Sequence, residues 1–255
     1  MTTSSAVRPP AALRAAAIPR DAALRLAATE YTRFAALLAA LEPDEWTRPT
    51  DCTGWDVRAM SAHVLGMARM VASPLQFVRQ NAITARSGGG IDALTALQVR
   101  DSAELSTAEL ADRTAAVGPA AVRGRRRLAR VLGRLPLLER QVVGEEREWW
   151  SFGFLFDVIL TRDTWMHRVD VCRATGREPE LTAGHDGVLV ADVVAEWAGR
   201  HARPYRLRLT GPAGGAWSSG EPPAGDDLEL DAVEFCRLLS GRGTGTGLLA
   251  QQVPF

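Results

Sequence analysis

Asp163, His167 and Asp170 lie in one short stretch, DTWMHRVD, of a predicted helix that runs from about Trp150 to Gly176. Residues three and four positions apart share a face of an α-helix, so the three side chains share one stripe. The other members of that stripe are apolar, namely Phe156, Leu160 and Val171. Acid and imidazole groups are costly to bury unless they are paired or bind a metal. The spacing therefore favours a metal site, because Asp163 and His167 are one turn apart and can reach one ion.

The same spacing has a simpler interpretation. An Asp–His pair four positions apart also occurs on the solvent face of a helix, where it has no function and adds little to stability. A third ligand on another helix would decide between the two interpretations.

His63 is the candidate for that third ligand. It lies on a helix predicted from Val57 to about Val71, and it is the one polar member of the inward stripe. The alternative is a core histidine whose ring nitrogens are paired within the protein. Three protein ligands and one vacant position are typical of a catalytic zinc or a similar divalent ion. Asp170, one turn beyond His167, could orient that histidine by a hydrogen bond rather than bind the ion.

The elements that must position these residues are mainly helical. Apolar residues at helical spacing predict long helices over residues 19–41, 57–71, 106–132 and 150–176. Ser106 and Glu109 form a capping-box pattern at the start of the third. Bundles of four such helices build metal sites from side chains on facing helices. Shorter helices are predicted for residues 74–86 and 92–105, and Gly118-Pro119 predicts a kink or break in the third long helix.

The pattern changes beyond residue 178. A Gly/Pro-rich linker precedes a helix predicted from Val188 to His201, and His185 and His201 are expected to be exposed at its ends. Three short antiparallel strands and a further helix capped by Asp231 follow. The strands are predicted at 205–209, 216–218 and 228–230, and the helix at 232–240.

The sequence thus predicts a mainly α protein in three parts. Residues 1–18 form a flexible Ala/Pro-rich leader, residues 19–178 a four-helix bundle with the metal site, and residues 179–255 a small α+β C-terminal domain.

Composition argues against several partners. The 255-residue chain has a formal net charge of zero, so no overall charge directs it to nucleic acid. One segment, residues 122–134, is rich in arginine, but no aromatic residues interleave the arginines, which favours a solvated helix face over a nucleic-acid site. The apolar runs are too short or too charged to span a membrane. Three scattered cysteines without a CxxC pair suit a reducing cytoplasm.

Three segments resemble the mycothiol-dependent maleylpyruvate isomerase family of the DinB-like superfamily. These are EWTRPTDCTGWDVRAMSAHVLG at residues 45–66, DTWMHRVDVCRATGREPEL at residues 163–181, and the ending EFCRLLSGRGTGTGLLAQQVPF at residues 234–255. The resemblance implies a DinB-like four-helix bundle that holds a divalent metal, usually zinc, and a small α/β C-terminal domain.

The same resemblance implies the roles of individual residues. His63, Asp163 and His167 fall on the metal ligands of the family, although the acid of the family is usually Glu, which is one methylene longer. Asp170 matches the HR-x-D pattern that follows. Arg242 best matches an arginine that helps to bind thiol or substrate, and Arg237 is the rival.

The resemblance further implies a cytoplasmic enzyme that uses the thiol mycothiol and a small electrophilic substrate. A metal-bound thiol loses its proton and becomes a nucleophile at neutral pH. Its addition to a double bond permits rotation and isomerisation, whereas release of the adduct gives conjugation. Two other functions stay open: a metal-dependent hydrolase with water in place of the thiol, and a non-catalytic DinB-like binding protein whose metal site has drifted.

Overall fold

Four long helices pack around one another in the computed structural model, which describes residues 13–220 and 225–255. They are α1 (Arg20–Ala39), α2 (Val57–Ala72), α5 (Thr107–Leu132) and α7 (Leu160–Thr175). Helices α1 and α2 each pack against both α5 and α7, which closes the four into a bundle. The predicted mainly α class with a four-helix bundle is therefore confirmed.

Shorter elements connect the long helices. Helices α3 and α4 lie between α2 and α5, and a β-hairpin and a single helical turn lie between α5 and α7. Their bounds are Pro74–Arg86 for α3, Gly90–Arg100 for α4, Gln141–Val143 for β1, Glu146–Glu148 for β2 and Phe152–Phe154 for α6.

Local sequence signals set several helix ends as predicted. Ser106 and Glu109 form the reciprocal capping box at the start of α5. Asp56 caps α2 by accepting a hydrogen bond from the Ala59 backbone N–H. Gly176 ends α7 in the left-handed conformation that favours glycine. Helix α5, however, runs without a break through Pro119, so the predicted split at that position is wrong.

The C-terminal part consists of α8, a three-stranded sheet, α9 and a final 3₁₀ turn. The bounds are Asp186–His201 for α8, Tyr205–Thr210 for β3, Gly215–Ser219 for β4, Asp226–Asp231 for β5, Ala232–Leu239 for α9 and Gly247–Ala250 for the turn. The strand order is β4-β3-β5. Strand β4 is antiparallel to β3, as predicted, but β5 is parallel to β3. The prediction of an all-antiparallel sheet is therefore wrong. Polar and apolar residues alternate in the same way in parallel and antiparallel strands, so the pattern reveals neither the direction of the last strand nor the edge of β3 that it joins.

The bundle and the C-terminal part share one hydrophobic core. Trp165 of α7 and Leu26 of α1 belong to the same buried cluster as Trp197 of α8 and Phe235 of α9. The division near residue 178 into two folding units stays a prediction. Of the predicted leader, residues 1–12 lie outside the described residues, and Arg14 is joined to the strand-like segment at Trp150 by backbone hydrogen bonds.

A buried ionic network joins α1, α7 and the start of α8. Arg168 pairs with Glu30 and, at 2.9 Å, with Asp186, while His185 Nε2 lies 2.8 Å from Glu30 Oε2. His185 is 6% exposed, so its predicted exposure is wrong. The start of α8 lies against α1 and α7, and the local sequence around His185 does not reveal this tertiary contact. Within the described residues, no helix is both long and apolar enough to cross a membrane.

We expect the Asp186→Asn substitution to lower the free energy of unfolding by about 3 kcal/mol at neutral pH, because it leaves part of a buried ion-pair network uncompensated. Burial raises the pKa of Asp186, but hydrogen bonds from the Trp165 indole and the Thr182 backbone, with the charge of Arg168, outweigh burial and hold this pKa below its usual 3.8. A lowered pKa stabilises the fold above the unfolded value, and this contribution is lost as pH falls through the folded value.

The difference between wild type and Asp186→Asn should therefore shrink below about pH 4. Urea denaturation at several pH values measures it. Asp227→Asn, which removes an exposed carboxylate paired with Arg206, is the matched control and should change stability by less than about 0.5 kcal/mol. A difference for Asp186→Asn that stays constant with pH would contradict this account.

Candidate metal centre

The helix that carries Asp163 and His167 follows directly on a turn of π-helix, Leu155–Ile159. Such turns are rare and are frequent at functional sites. The buried side chain of Arg125 on α5 enters at this turn, where its Nε donates to the carbonyl oxygen of Phe156 at 2.6 Å. A side chain inserted in this way stabilises a break in the regular helical ladder. The turn and Arg125 together fix the start of α7 and therefore the positions of its ligand candidates.

Helices α2 and α7 bring His63, Asp163 and His167 together, as the sequence predicted. Asp163 Oδ1 lies 3.5 Å from His63 Nε2 and 3.3 Å from His167 Nε2. One ligand atom from each residue lies within 4.8 Å of the other two. His63 and His167 are buried, and the side chain of Asp163 is 18% exposed. The predicted stripe of α7 therefore does face inward, towards His63.

A pair of glutamines orients His63. The Nδ1 of His63 lies 2.8 Å from Gln98 Oε1, and Gln98 Nε2 donates to Gln80 Oε1 at 3.0 Å. Gln80 Nε2 in turn donates to the carbonyl oxygen of Gly66. This chain of hydrogen bonds fixes the Gln98 amide with its oxygen towards the imidazole. His63 must then carry its proton on Nδ1, which leaves the lone pair of Nε2 facing Asp163.

A carboxylate and an arginine orient His167. The Nδ1 of His167 lies 3.2 Å from Asp170 Oδ2, and Arg242 Nε and Nη2 hold the same carboxylate at 2.7 Å. Burial raises the pKa of Asp170, but the hydrogen bonds from His167 and Arg242 outweigh burial and lower this pKa. Asp170 is thus an ionised acceptor for Nδ1–H, and the Nε2 lone pair of His167 also faces Asp163.

The arrangement fits a bound cation. Four ligand atoms about 2.0–2.1 Å from a tetrahedral zinc lie about 3.3–3.4 Å apart, which matches the two distances to Asp163 Oδ1. These distances exceed those of ordinary N–H···O hydrogen bonds. Asp163 Oδ2 is buried and has no hydrogen-bond partner among the residues that the structure describes. Two lone pairs that face a carboxylate repel it unless a positive charge lies between them, so the residues fit a divalent ion.

Without a metal ion, a proton must lie between the Asp163 carboxylate and the imidazole nitrogens. Burial lowers the pKa of His167, but the charge of Asp163 and the hydrogen bonds that His167 donates to Asp163 and Asp170 outweigh burial and raise this pKa well above its usual value. Burial likewise raises the pKa of Asp163, but electrostatic attraction and hydrogen bonds from His167 and His63 outweigh burial and hold this pKa well below its usual range. The site is therefore built for an anionic carboxylate beside a cation.

Among the described residues, two further groups of possible metal-ligand side chains lie as close together, but in each of them an arginine already pairs with a carboxylate. Glu30, His185 and Asp186 surround Arg168, and Cys52, His167 and Asp170 adjoin Arg242. The guanidinium charge neutralises those carboxylates. Among these three groups, the one at Asp163 is the one without an arginine on its carboxylate.

A cavity of about 610 Å³ opens from the three ligand candidates. The bundle, the β1–β2 hairpin and the C-terminal tail form its walls. The apolar part of the lining includes Trp55, Met67, Val143, Trp150, Leu155, Ile159 and Phe255. Arg242 lines the cavity, whereas Arg237, its rival in the sequence, pairs with Asp51 and Glu234. The volume is in the range of small-molecule binding sites.

Three features of the site escaped the sequence analysis. Gln98 lies in a helix whose amphipathic pattern gave no sign of its buried contact with His63. The β1–β2 hairpin lies between two predicted helices, in a segment for which no strand is predicted, although Gly144 begins its two-residue loop with a φ of 59°, a position that favours glycine in hairpin turns. The tail residues Gln252–Phe255 have no pattern that would place them in a cavity wall.

The fold and the site define a helical-bundle protein with a candidate metal centre at the base of a small-molecule cavity. The chain matches the family model for the mycothiol maleylpyruvate isomerase N-terminal domain over residues 27–172, which is more than half of its length. The chain belongs to this family, as the resemblance of its sequence segments predicted.

Similar proteins agree with that membership. The crystal structure of the mycothiol-dependent maleylpyruvate isomerase superposes with a TM-score of 0.56 at 15% identity, covering 89% of this chain and 91% of that one. A histidine-to-alanine mutant of that isomerase superposes with a TM-score of 0.55 at 14% identity. At such identities the likeness is one of fold. An uncharacterized protein of Mycobacterium tuberculosis is 28% identical over 218 residues, which cover 81% of this chain and 80% of the relative.

Replacing Gln98 by leucine should weaken zinc binding about 10- to 100-fold, because the amide that fixes the His63 proton on Nδ1 is lost. Competition with a chromophoric chelator measures the affinity. Gln76→Leu, which removes an amide that does not touch His63, is the control and should leave zinc affinity unchanged. Equal zinc affinity in wild type and Gln98→Leu would show that His63 does not depend on this hydrogen bond.

Gly66 has a separate role in the same contact. A Cβ at this position would lie 2.5 Å from the side chain of Gln98, closer than two carbons can approach. We expect Gly66→Ala to push α4 away and to lower zinc affinity in the same direction as Gln98→Leu. Gly199→Ala on α8, where the Cβ meets nothing, is the control. Zinc titration of both variants checks this, and an unchanged affinity in Gly66→Ala would contradict it.

Proposed function

We propose that this protein is a cytoplasmic, mycothiol-dependent metalloenzyme that isomerises or conjugates a small electrophilic substrate. Its divalent ion, best fitted by zinc, is held by His63, Asp163 and His167. The observation that carries the proposal is the orphaned, buried Oδ2 of Asp163 beside two imidazole nitrogens at distances that fit tetrahedral coordination.

The donor set supports an open catalytic site rather than a closed structural one. Two histidines and one carboxylate would provide three ligands, and all three residues line the cavity, which leaves room for a further ligand. A divalent ion there would keep a bound thiol deprotonated at neutral pH, and the thiol would supply a nucleophile for an electrophilic carbon. The shorter Asp163 reaches the position that this role requires, which favours a working site over a drifted one.

Arg242 has two tasks in this proposal. Its Nε and Nη2 hold Asp170, which orients His167. Its Nη1 makes no hydrogen bond within the described part of the chain, and the side chain lines the cavity. The free edge of the guanidinium can therefore donate to a carboxylate of the substrate and fix its orientation. Asp170 lowers the desolvation cost of the arginine, since their charges compensate each other.

The side chains of the cavity walls exclude water from the site and set its charge. Trp55 lies against both histidines, with ring centroids 5.2 Å from His63 and 6.0 Å from His167, and it shields the site from water. Arg140 and Arg147 are exposed on the hairpin segment at the cavity and add positive charge there. Asp92 and Glu139 line the same cavity and offset these two arginines, so Arg242 is the group that would attract an anionic electrophile into this partly apolar environment.

Mycothiol and maleylpyruvate are proposed on the strength of the family to which the chain belongs and of the name of the isomerase that shares its fold. The direct test incubates zinc-loaded protein with maleylpyruvate in the presence and absence of mycothiol and follows formation of the trans isomer. Turnover that requires both zinc and mycothiol is the expected result.

Each other outcome identifies a different function. Conversion of the substrate to a thiol adduct would indicate an S-transferase. Turnover of ester or amide substrates without a thiol would indicate a metal hydrolase and would overturn the mycothiol proposal. Zinc binding without any turnover across thiols and electrophiles would favour a non-catalytic binding protein.

Arg242→Gln should lower kcat/KM for an anionic substrate about 10- to 100-fold, since one charge-assisted interaction with the substrate is lost. Zinc affinity should fall as well, because Arg242 holds the carboxylate that orients His167, so the kinetics are measured on zinc-saturated protein whose metal content is checked. Steady-state kinetics and elemental analysis measure the two quantities. Arg206→Gln, on the exposed face of β3, is the control. Unchanged kinetics in Arg242→Gln would remove this residue from the substrate site.

A further inference from the structure

A second cavity, of about 280 Å³, lies between α2, α3 and α4 on the far side of Gln98 from the metal centre. Its lining is polar and consists of three glutamine side chains, two arginines, Ser102, Asp101 and the Gly66 backbone. Nothing in the proposed reaction uses this space. A polar cavity of this size suits a small, strongly hydrogen-bonding ligand.

Ser102 provides the first sign of a missing partner. It is 1% exposed, and its hydroxyl has no hydrogen-bond partner among the described residues. Buried hydroxyl groups in proteins are almost always hydrogen-bonded, because an unpaired one loses its contacts with water. Ser102 lies in the lining of the cavity, but its hydroxyl oxygen is enclosed, so a rotation about the Cα–Cβ bond is needed before the hydroxyl can donate to a ligand oxygen there.

Arg69 provides the second sign. Its guanidinium lines the same cavity and forms no salt bridge within the described parts of the chain. Burial and the nearby charge of Arg113 lower the pKa of Arg69 and outweigh the opposite effect of Asp101, so a further anion beside Arg69 is favourable. The acid in the lining, Asp101, is held by both terminal nitrogens of Arg79. One uncompensated positive charge therefore remains in the cavity.

We propose that this cavity binds one small oxyanion, with the Arg69 guanidinium and the Ser102 hydroxyl as its principal donors. The Gln76 side chain, which lines the cavity and has no hydrogen bond to another described residue, is a third donor. Charge-assisted hydrogen bonds from arginine fit the oxygens of phosphate, sulfate or a small carboxylate. The volume of about 280 Å³ suits an anion of this size. The proposal does not rest on the proposed enzymatic function, although Gln98 and Gln80 belong both to this lining and to the hydrogen-bond chain that orients His63.

The test is isothermal titration of zinc-loaded protein with inorganic phosphate, sulfate and malonate in separate experiments. Wild type should bind at least one of these anions at about one equivalent per chain. Arg69→Gln should weaken binding at least tenfold, and Ser102→Ala should weaken it severalfold. Binding of phosphate and sulfate without malonate would identify a tetrahedral oxyanion, and the reverse would identify a carboxylate.

Two controls separate this cavity from other sites. Arg147→Gln removes an arginine of the larger cavity, and Arg123→Gln removes an exposed arginine of α5; both should bind the anion as wild type does. Thermal melts establish that each variant is folded, and Ser102→Ala tests the site if Arg69→Gln is not. The proposal is overturned by the absence of saturable binding, by binding that folded Arg69→Gln and Ser102→Ala retain, or by binding that Arg147→Gln abolishes.

Discussion

A buried carboxylate between two imidazole lone pairs is the constraint on which the site depends. Asp163 lacks the arginine that neutralises the carboxylates at Asp170 and Asp186, so its charge requires a proton or a metal ion between it and the histidines. The hydrogen bonds from Gln98 to His63 and from Asp170 to His167 matter because they turn both Nε2 atoms towards this carboxylate. The fold thus holds the three ligand candidates in place without an ion, so that binding of one would require little reorganisation.

The C-terminal part supplies residues of the candidate site that the bundle lacks. Arg242 follows α9 and reaches into the bundle to hold Asp170, and the tail supplies a wall of the cavity. This reach depends on the shared core in which α8 and α9 pack against Trp165 of α7. The buried network of Arg168, Glu30 and Asp186 reinforces the same contact. Stability of the interface between the two parts and geometry of the candidate site are therefore linked.

Local patterns predicted much of this arrangement, and tertiary contacts account for the rest. The spacing of Asp163 and His167, the lone His63 on an apolar stripe and the caps at Ser106 and Gly176 are properties of single helices, which a sequence displays directly. The parallel direction of β5, the burial of His185 and the contact of Gln98 with His63 each depend on which elements meet in space. At Pro119 a local signal was misleading. The sequence favours a break there, but the packing of α5 against α1 and α2 outweighs that preference and the helix continues.

The most direct test of the metal centre is elemental analysis of protein purified without a metal-affinity tag, for wild type beside Asp163→Ala and Asp163→Glu. The account predicts about one zinc per chain in wild type, its loss in Asp163→Ala, and its retention in Asp163→Glu, which restores a carboxylate on a side chain one methylene longer. Wild-type protein that holds no zinc after incubation with the ion, or Asp163→Ala that holds as much as wild type, would contradict it.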